Sequence, residues 1–350
     1  MNKYFFSLLM LLVAATGTQA KSWKIGPASV TGMDFASINA AMNSSSVSFG
    51  DTLYLDQYYN EAEVQQVTKK VIIIGTGYDT ALSDEQVVSR LTSQLELKAN
   101  NVEVKSVRLN AVYIYSEGCT IDRCYSTHIG VSSNTTGMNY IHSCYVEGRI
   151  VGYSSSPYTT RLDIQNCVII NNVEDGNTTI CNLTASVISN NVMSREYWNS
   201  YEGYVLGEIT NSQITNNMIY GFSTRYNSHR DISWNVSQSG SGNSIEHNIL
   251  SGDALAYYPT NKTGFRNSWS SLFKYSGSYS NAYCLATESG DNPAIGYATD
   301  GGDCGCHGGM FGNPAGGRPQ YIPYFSKVVV GSRTENGKLP VSVTVKIQDE

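Results

Sequence analysis

From residue 120 onward one short phrase keeps returning: an isoleucine, two polar residues, then a cysteine or an asparagine. Its copies are Ile121-Asp122-Arg123-Cys124, Ile141-His142-Ser143-Cys144, Ile164-Gln165-Asn166-Cys167, Ile188-Ser189-Asn190-Asn191, Ile214-Thr215-Asn216-Asn217 and Ile245-Glu246-His247-Asn248. Successive isoleucines are 20, 23, 24, 26 and 31 residues apart. A leucine-rich or ankyrin array keeps a strict period, so this spacing excludes those folds and suits coils whose strands hold register while their loops vary. Ile169, Met193, Ile219 and Leu250 each lie five residues beyond their isoleucine, continuing a strand's alternation. Further short apolar runs fall between the copies, at Val112 to Tyr115, Ile129 to Val131, Arg149 to Val151, Ile180 to Leu183 and Tyr204 to Leu206. Two or three strands per coil, joined by Gly, Ser and Asn turns, describe an all-β right-handed parallel β-helix, a solenoid.

The third residue after each isoleucine reads Cys, Cys, Cys, Asn, Asn, Asn, so aligned coils stack like on like. At roughly 4.7–4.9 Å between strands, stacked asparagine amides can hydrogen-bond along the axis. Stacked cysteines would act as small buried apolar residues. The chain has eight cysteines, which in an exported protein also suggests a disulfide framework. Side chains one above another sit about 4.8 Å apart, beyond the roughly 3.5–4.5 Å between Cβ atoms that a disulfide prefers. Unpaired thiols are therefore expected at Cys124, Cys144 and Cys167, while Cys119, Cys181, Cys284, Cys304 and Cys306 stay undecided.

A solenoid must cover the strand edges at its two ends. Residues 21–48 are predicted to form the N-terminal cap. Phe35, Ile38, Ala41 and Met42 recur at helical spacing behind a potential Asp34 cap, which predicts a short capping helix. Coils are expected over 49–299 and a C-terminal closing segment with strands over 300–350. There, Val341 to Ile347 alternates cleanly and is expected to add capping strands over the last coil.

Residues 1–20 read as a signal peptide: Lys3, an apolar stretch from Tyr4 to Ala15, then small residues around Thr18-Gln19-Ala20. A membrane anchor needs about 20 apolar residues in a row, which polar Thr16, Thr18 and Gln19 interrupt. The expectation is export to the periplasm, cell surface or medium, with no integral membrane segment in the mature chain. A net charge of -6 argues against nucleic acid as a partner. Only 15% of residues are charged, against roughly 25% in an average globular chain, as stacked strands and tight turns require.

The N-terminal motifs carry a resemblance. Ser37-Ile38 near the helix start, Gly50-Asp51-Thr52-Leu53-Tyr54-Leu55, and Ile73-Ile74-Gly75-Thr76-Gly77 follow the order found in the first coils of pectate-lyase-like, carbohydrate-binding parallel β-helix proteins. Asp300 to Gly309, followed by Pro319-Gln320-Tyr321-Ile322-Pro323, resembles the closing segment of Bacteroidetes-type secreted β-helix proteins, which carry apolar residues where Cys304 and Cys306 stand. The resemblance implies that both cysteines are buried.

Catalytic signatures of that superfamily are missing. The polygalacturonase-like Asn-Thr-Asp, Asp-Asp, Gly-His-Gly and Arg-Ile-Lys set is absent, and acidic residues between 120 and 250 are scattered in sequence where a calcium-dependent lyase needs a cluster. Asp303, Cys304, Cys306 and His307 are all ligand types for zinc, yet Cys-x-Cys with an adjacent His lacks the second ligand pair of common structural sites. Neither metal nor cofactor is expected. Reactive groups concentrate in the longest coil as Arg225, His229, Arg230 and Asp231, with Trp198, Tyr201, Tyr226 and Trp234 nearby to stack on sugars. The arginines could pair with a uronate, but a loop of this composition usually just covers one side of the helix and is solvated, which is the favoured reading of it. Three readings stay open. They are a non-catalytic carbohydrate-binding or surface structural protein, which is favoured, a polysaccharide lyase or glycoside hydrolase with an unfamiliar site, and a purely structural fibre or adhesin subunit.

Overall fold

The computed structural model describes residues 20–79, 88–132, 135–154, 157–171, 177–197, 203–223, 228–251, 260–263, 269–273, 283–286, 292–309, 324–330 and 341–346. Apart from one two-stranded hairpin, every described strand belongs to a ten-stranded or a fourteen-stranded sheet. The ten-stranded sheet is parallel throughout. The other is parallel except where Ser228–His229 folds back on Phe222–Ser223. The chain visits the two sheets alternately, coil after coil, and builds a right-handed parallel β-helix.

The isoleucine phrase sets the register. Ile121, Ile141, Ile164, Ile188, Ile214 and Ile245 pair in one column of the ten-stranded sheet, which continues through Val104, Ile73 and Leu53 toward the N-terminus. All are buried. Val104-Lys105-Ser106-Val107 is thus an earlier copy, written with valine. Two residues past the apolar position, Ser106, Arg123, Ser143, Asn166, Asn190, Asn216 and His247 share a left-handed backbone, with φ between 52 and 60°. That one residue turns the chain from one sheet into the other, and asparagine is the side chain that tolerates it best after glycine.

The residue after the bend points inward. Asn191 donates through Nδ2 to Asn217 Oδ1 at 3.0 Å, Asn217 to Asn248 at 2.9 Å, and Asn248 to Asn261 at 3.0 Å. The same Oδ1 atoms accept the backbone N–H groups of Asn191, Asn217 and Asn248. The ladder has a fourth rung, Asn261, in a coil with no isoleucine phrase of its own. Below the asparagines, Cys167 Sγ donates to Ile141 O at 3.4 Å and Cys144 Sγ to Ile121 O at 3.4 Å. Cys144 N–H donates in turn to Cys167 Sγ at 3.4 Å. The thiols fill the ladder's role with weaker bonds. None of the eight cysteines is in a disulfide, as expected for Cys124, Cys144 and Cys167, and Cys304 and Cys306 are buried.

Two further inward columns complete the core. One runs Val146, Ile169, Met193, Ile219, Leu250; the other runs Leu95, Val112, Ile129, Ile150, Ile180, Leu206. Tyr145–Val151 serves both, pairing with Val168–Asn171 through its first half and with Ile180–Thr184 through its second.

At the N-terminal end the helix covers Ile38–Asn43 and buries Ile38, Ala41 and Met42. Its cap is Ser37, whose Oγ accepts the Ala40 N–H at 3.1 Å. The expected Asp34 cap is corrected: its carboxylate accepts the Lys24 N–H at 2.8 Å, because residues 34 and 35 belong to the first rung, with Phe35 bridged to Ile25 and its ring on Trp23. At the other end, Val341–Lys346 pairs antiparallel with Tyr324–Val330. Among the described residues its strand partner is one close in the chain, a pairing that costs little closure entropy.

Residues 292–309 lie along the flank of the solenoid. Val168, Val192, Met218 and Ile249 point outward from the fourteen-stranded sheet and form a second core with Leu272, Phe273, Tyr283, Ala294, Ala298, Cys304 and Cys306. The left-handed column holds this strap. His247 Nδ1 contacts Tyr297 O at 3.0 Å, Asn216 Oδ1 accepts the Thr299 N–H at 2.9 Å, and Asn166 Nδ2 donates to Cys306 O at 3.1 Å. Gly305 (φ +97°) makes the close approach possible, since a Cβ there would stand 2.9 Å from Met218 Sδ. Among the described residues no helix is long and apolar enough to cross a membrane.

Candidate functional site

Of the residues singled out in or near the longest coil, Trp198, Tyr201, Arg225 and Tyr226 lie outside the described residues, as do residues 1–19, where a signal peptide is expected. His229, Arg230 and Asp231 are described. Asp231 is buried, and one of its oxygens accepts the Gly221 N–H at 2.6 Å and the Ser251 hydroxyl at 2.5 Å. Ser251 Oγ also lies 2.9 Å from His229 Nδ1. With the serine's only proton given to the carboxylate, this contact requires Nδ1–H of His229 to donate. The imidazole is therefore not placed to take the serine's proton, and Ser251 is itself buried. A nucleophile needs the reverse wiring, with the base receiving that proton. Arg230 donates to the Tyr204 hydroxyl at 2.7 Å and lies over its ring. This group ties Ser228, His229, Arg230 and Asp231 to the sheet.

A second constellation, absent from the sequence reading, forms on the other half of the fourteen-stranded sheet. His128 and Arg149 are register partners on adjacent rungs, and both are partly exposed. The His128 ring packs on Tyr113 with centroids 5.5 Å apart and crosses over Gly130, where a Cβ would meet Nε2 at 2.9 Å. Burial first, then the Arg149 charge, hold the His128 imidazole below its ordinary pKa, which favours its neutral form at pH 7. Arg149 Nε donates to Thr178 O at 3.0 Å, and an NH2 group reaches Cys181 Sγ at 4.0 Å, fixing the plane of the guanidinium. Farther along, Tyr158 donates its hydroxyl to Glu208 at 2.9 Å, and the helix Trp234–Ser237 leaves Trp234 63% exposed.

These residues are far apart in sequence. His128 lies seven residues past its isoleucine and Arg149 eight, because a register shift falls between Ser126 and His128. Counting from the repeat therefore does not align them, and only the paired strands do.

The Asp303 to His307 segment disperses its ligand types. Asp303 accepts the Gly296 N–H, Cys304 donates to His247 O, and His307 Nε2 lies 3.4 Å from Cys284 Sγ. Among the described residues no three His, Cys, Asp or Glu side chains are grouped to hold a metal ion. No family model, curated protein or solved structure matches the chain.

Proposed function

We propose that this chain is a distant, exported member of the pectate-lyase-like β-helix proteins that holds a polysaccharide without cleaving it, along the sheet face carrying Tyr113, His128, Arg149, Tyr158 and Glu208. The observation that carries the reading is the stacking of His128 and Arg149 on adjacent rungs beside the Tyr113 ring. Oriented donors and acceptors next to aromatic faces suit a polyhydroxylated ligand, and a guanidinium held in plane suits a uronate carboxylate. Rungs about 4.8 Å apart repeat these contacts along an extended chain.

Titration calorimetry with neutral and uronate oligosaccharides tests it. Binding is expected, with Arg149→Ala weakening the uronate ligand about tenfold or more, the loss of one hydrogen bond to a charged group. No binding to either class, or equal affinity in the variant, overturns the proposal. A lyase reading rests on the neutral His128 beside a cation that could stabilise an enolate-like uronate. Release of cleaved product that is lost in His128→Ala would favour it; binding without release favours the first.

A further inference from the structure

Seven of the eight cysteines are buried, and Cys284 alone is partly exposed. It is also the cysteine that meets a base: His307 Nε2 stands 3.4 Å from its Sγ. The two come from different parts of the flanking layer. Cys284 follows Tyr283, whose ring packs edge-on against Phe273 with centroids 4.9 Å apart, and its neighbour Leu285 bridges to Phe273. His307 sits on the strap, between fully buried Cys306 and Gly308, whose added Cβ would stand 2.0 Å from Asp303 O. Both partners are thus held by packed neighbours.

We infer that Cys284 and His307 form an activated thiol–imidazole pair, a site of exchange with low-molecular-weight disulfides. Thiolate is the nucleophile in such exchange, and an adjacent imidazole raises its share at neutral pH. In the step, His307 Nε2 takes the Cys284 proton and the thiolate attacks one sulfur of R–S–S–R. A bond forms between Cys284 Sγ and the attacked sulfur while the S–S bond of R–S–S–R breaks, and the released RS⁻ recovers the proton from the imidazolium. No net electrons enter or leave the pair of molecules. The other cysteines are poor competitors. Burial, then the Cys284 charge, push the Cys306 thiol well up, and burial pushes Cys304 up to about 12.

The titratable groups on the strap that act on Cys284 include His307 and Cys306. Folded protein is incubated with oxidised glutathione, and separately with iodoacetamide, from pH 6 to 9, and modified peptides are read by mass spectrometry. Expected is one glutathione adduct, on Cys284, with a rate inflection below the ordinary thiol value of about 8.5 and a rate at pH 7 about tenfold lower in His307→Gln. Cys284→Ser should abolish the adduct. Modification spread over several cysteines in folded wild type, no adduct on Cys284, or an inflection at about 8.5 that His307→Gln leaves unmoved overturns the inference. Should His307→Gln loosen the strap, Cys304 and Cys306 will also be labelled, and the wild-type pH profile then decides alone.

Discussion

Asp51 shows how one side chain turns a motif into structure. It is 1% exposed, and its carboxylate accepts the Lys21 N–H at 2.7 Å, the Trp23 indole N–H at 2.7 Å and the Ser48 N–H at 2.9 Å. Burial alone would raise its pKa, but the backbone N–H groups, the indole and the Lys21 charge outweigh it and leave the carboxyl below its usual value. A depressed folded-state pKa contributes stability that is present above the unfolded value of about 3.9 and is lost as pH falls through the folded one. Asp51→Asn keeps the shape and removes the charge. The variant should melt earlier than wild type at pH 7, with the gap starting to close below about pH 4, the unfolded value, and gone once pH has fallen through the lower folded value, where Asp51 is itself protonated. Calorimetric melts across that range check it; a gap constant with pH would contradict the account. The motif Gly50-Asp51-Thr52 was visible in the sequence, whereas its three donors were not, since two lie about thirty residues earlier in the chain.

At the scale of the element, the asparagine ladder joins four coils. Asn217 accepts from the Asn191 backbone and side chain and donates to Ile188 O and Asn248 Oδ1. Asn217→Leu would strand these buried groups, each at about 1–3 kcal/mol, so a loss of roughly 3 kcal/mol or more is expected. Asn217→Cys should cost less, because Cys167 already accepts an N–H and donates to a carbonyl in the equivalent place. Urea unfolding midpoints give the order, and a cysteine variant no more stable than the leucine one would contradict it. Six rungs of this column could be read directly from the phrase. The fourth asparagine could not, because Asn261 follows Asn248 by only 13 residues and carries no flanking isoleucine.

At the scale of the molecule, the solenoid has two cores, one inside the coils and one between their outer face and the strap. The outer residues Val168, Val192, Met218 and Ile249 follow the ladder positions directly, so each coil there reads as consecutive apolar residues, such as Val192-Met193 and Met218-Ile219. Consecutive apolar residues in a parallel strand mean that both faces are covered. Val192→Asp should release the strap without unwinding the coils, because burying an unpaired carboxylate is costly and the side chain points away from the inner core. Chymotrypsin should then cut after Tyr297 in the variant and spare it in wild type, with the β-sheet circular dichroism unchanged. Equal resistance would place the strap's anchorage elsewhere.

The sequence by itself determined the coil, its register column and the chemistry stacked in it. A buried rung must repeat the same side-chain type at the same place, and that repetition is written in the residues whatever the loops between them do. The free thiols of the cysteine column followed from the strand spacing. Which side chains share a face was decided only by the tertiary structure. Loops of unequal length and a register shift near His128 change the count from rung to rung, so His128 meets Arg149, and Asp231 meets Ser251, through pairings that no fixed offset encodes. The placement of the strap was decided there as well, since contacts such as Asn166 with Cys306 span 140 residues.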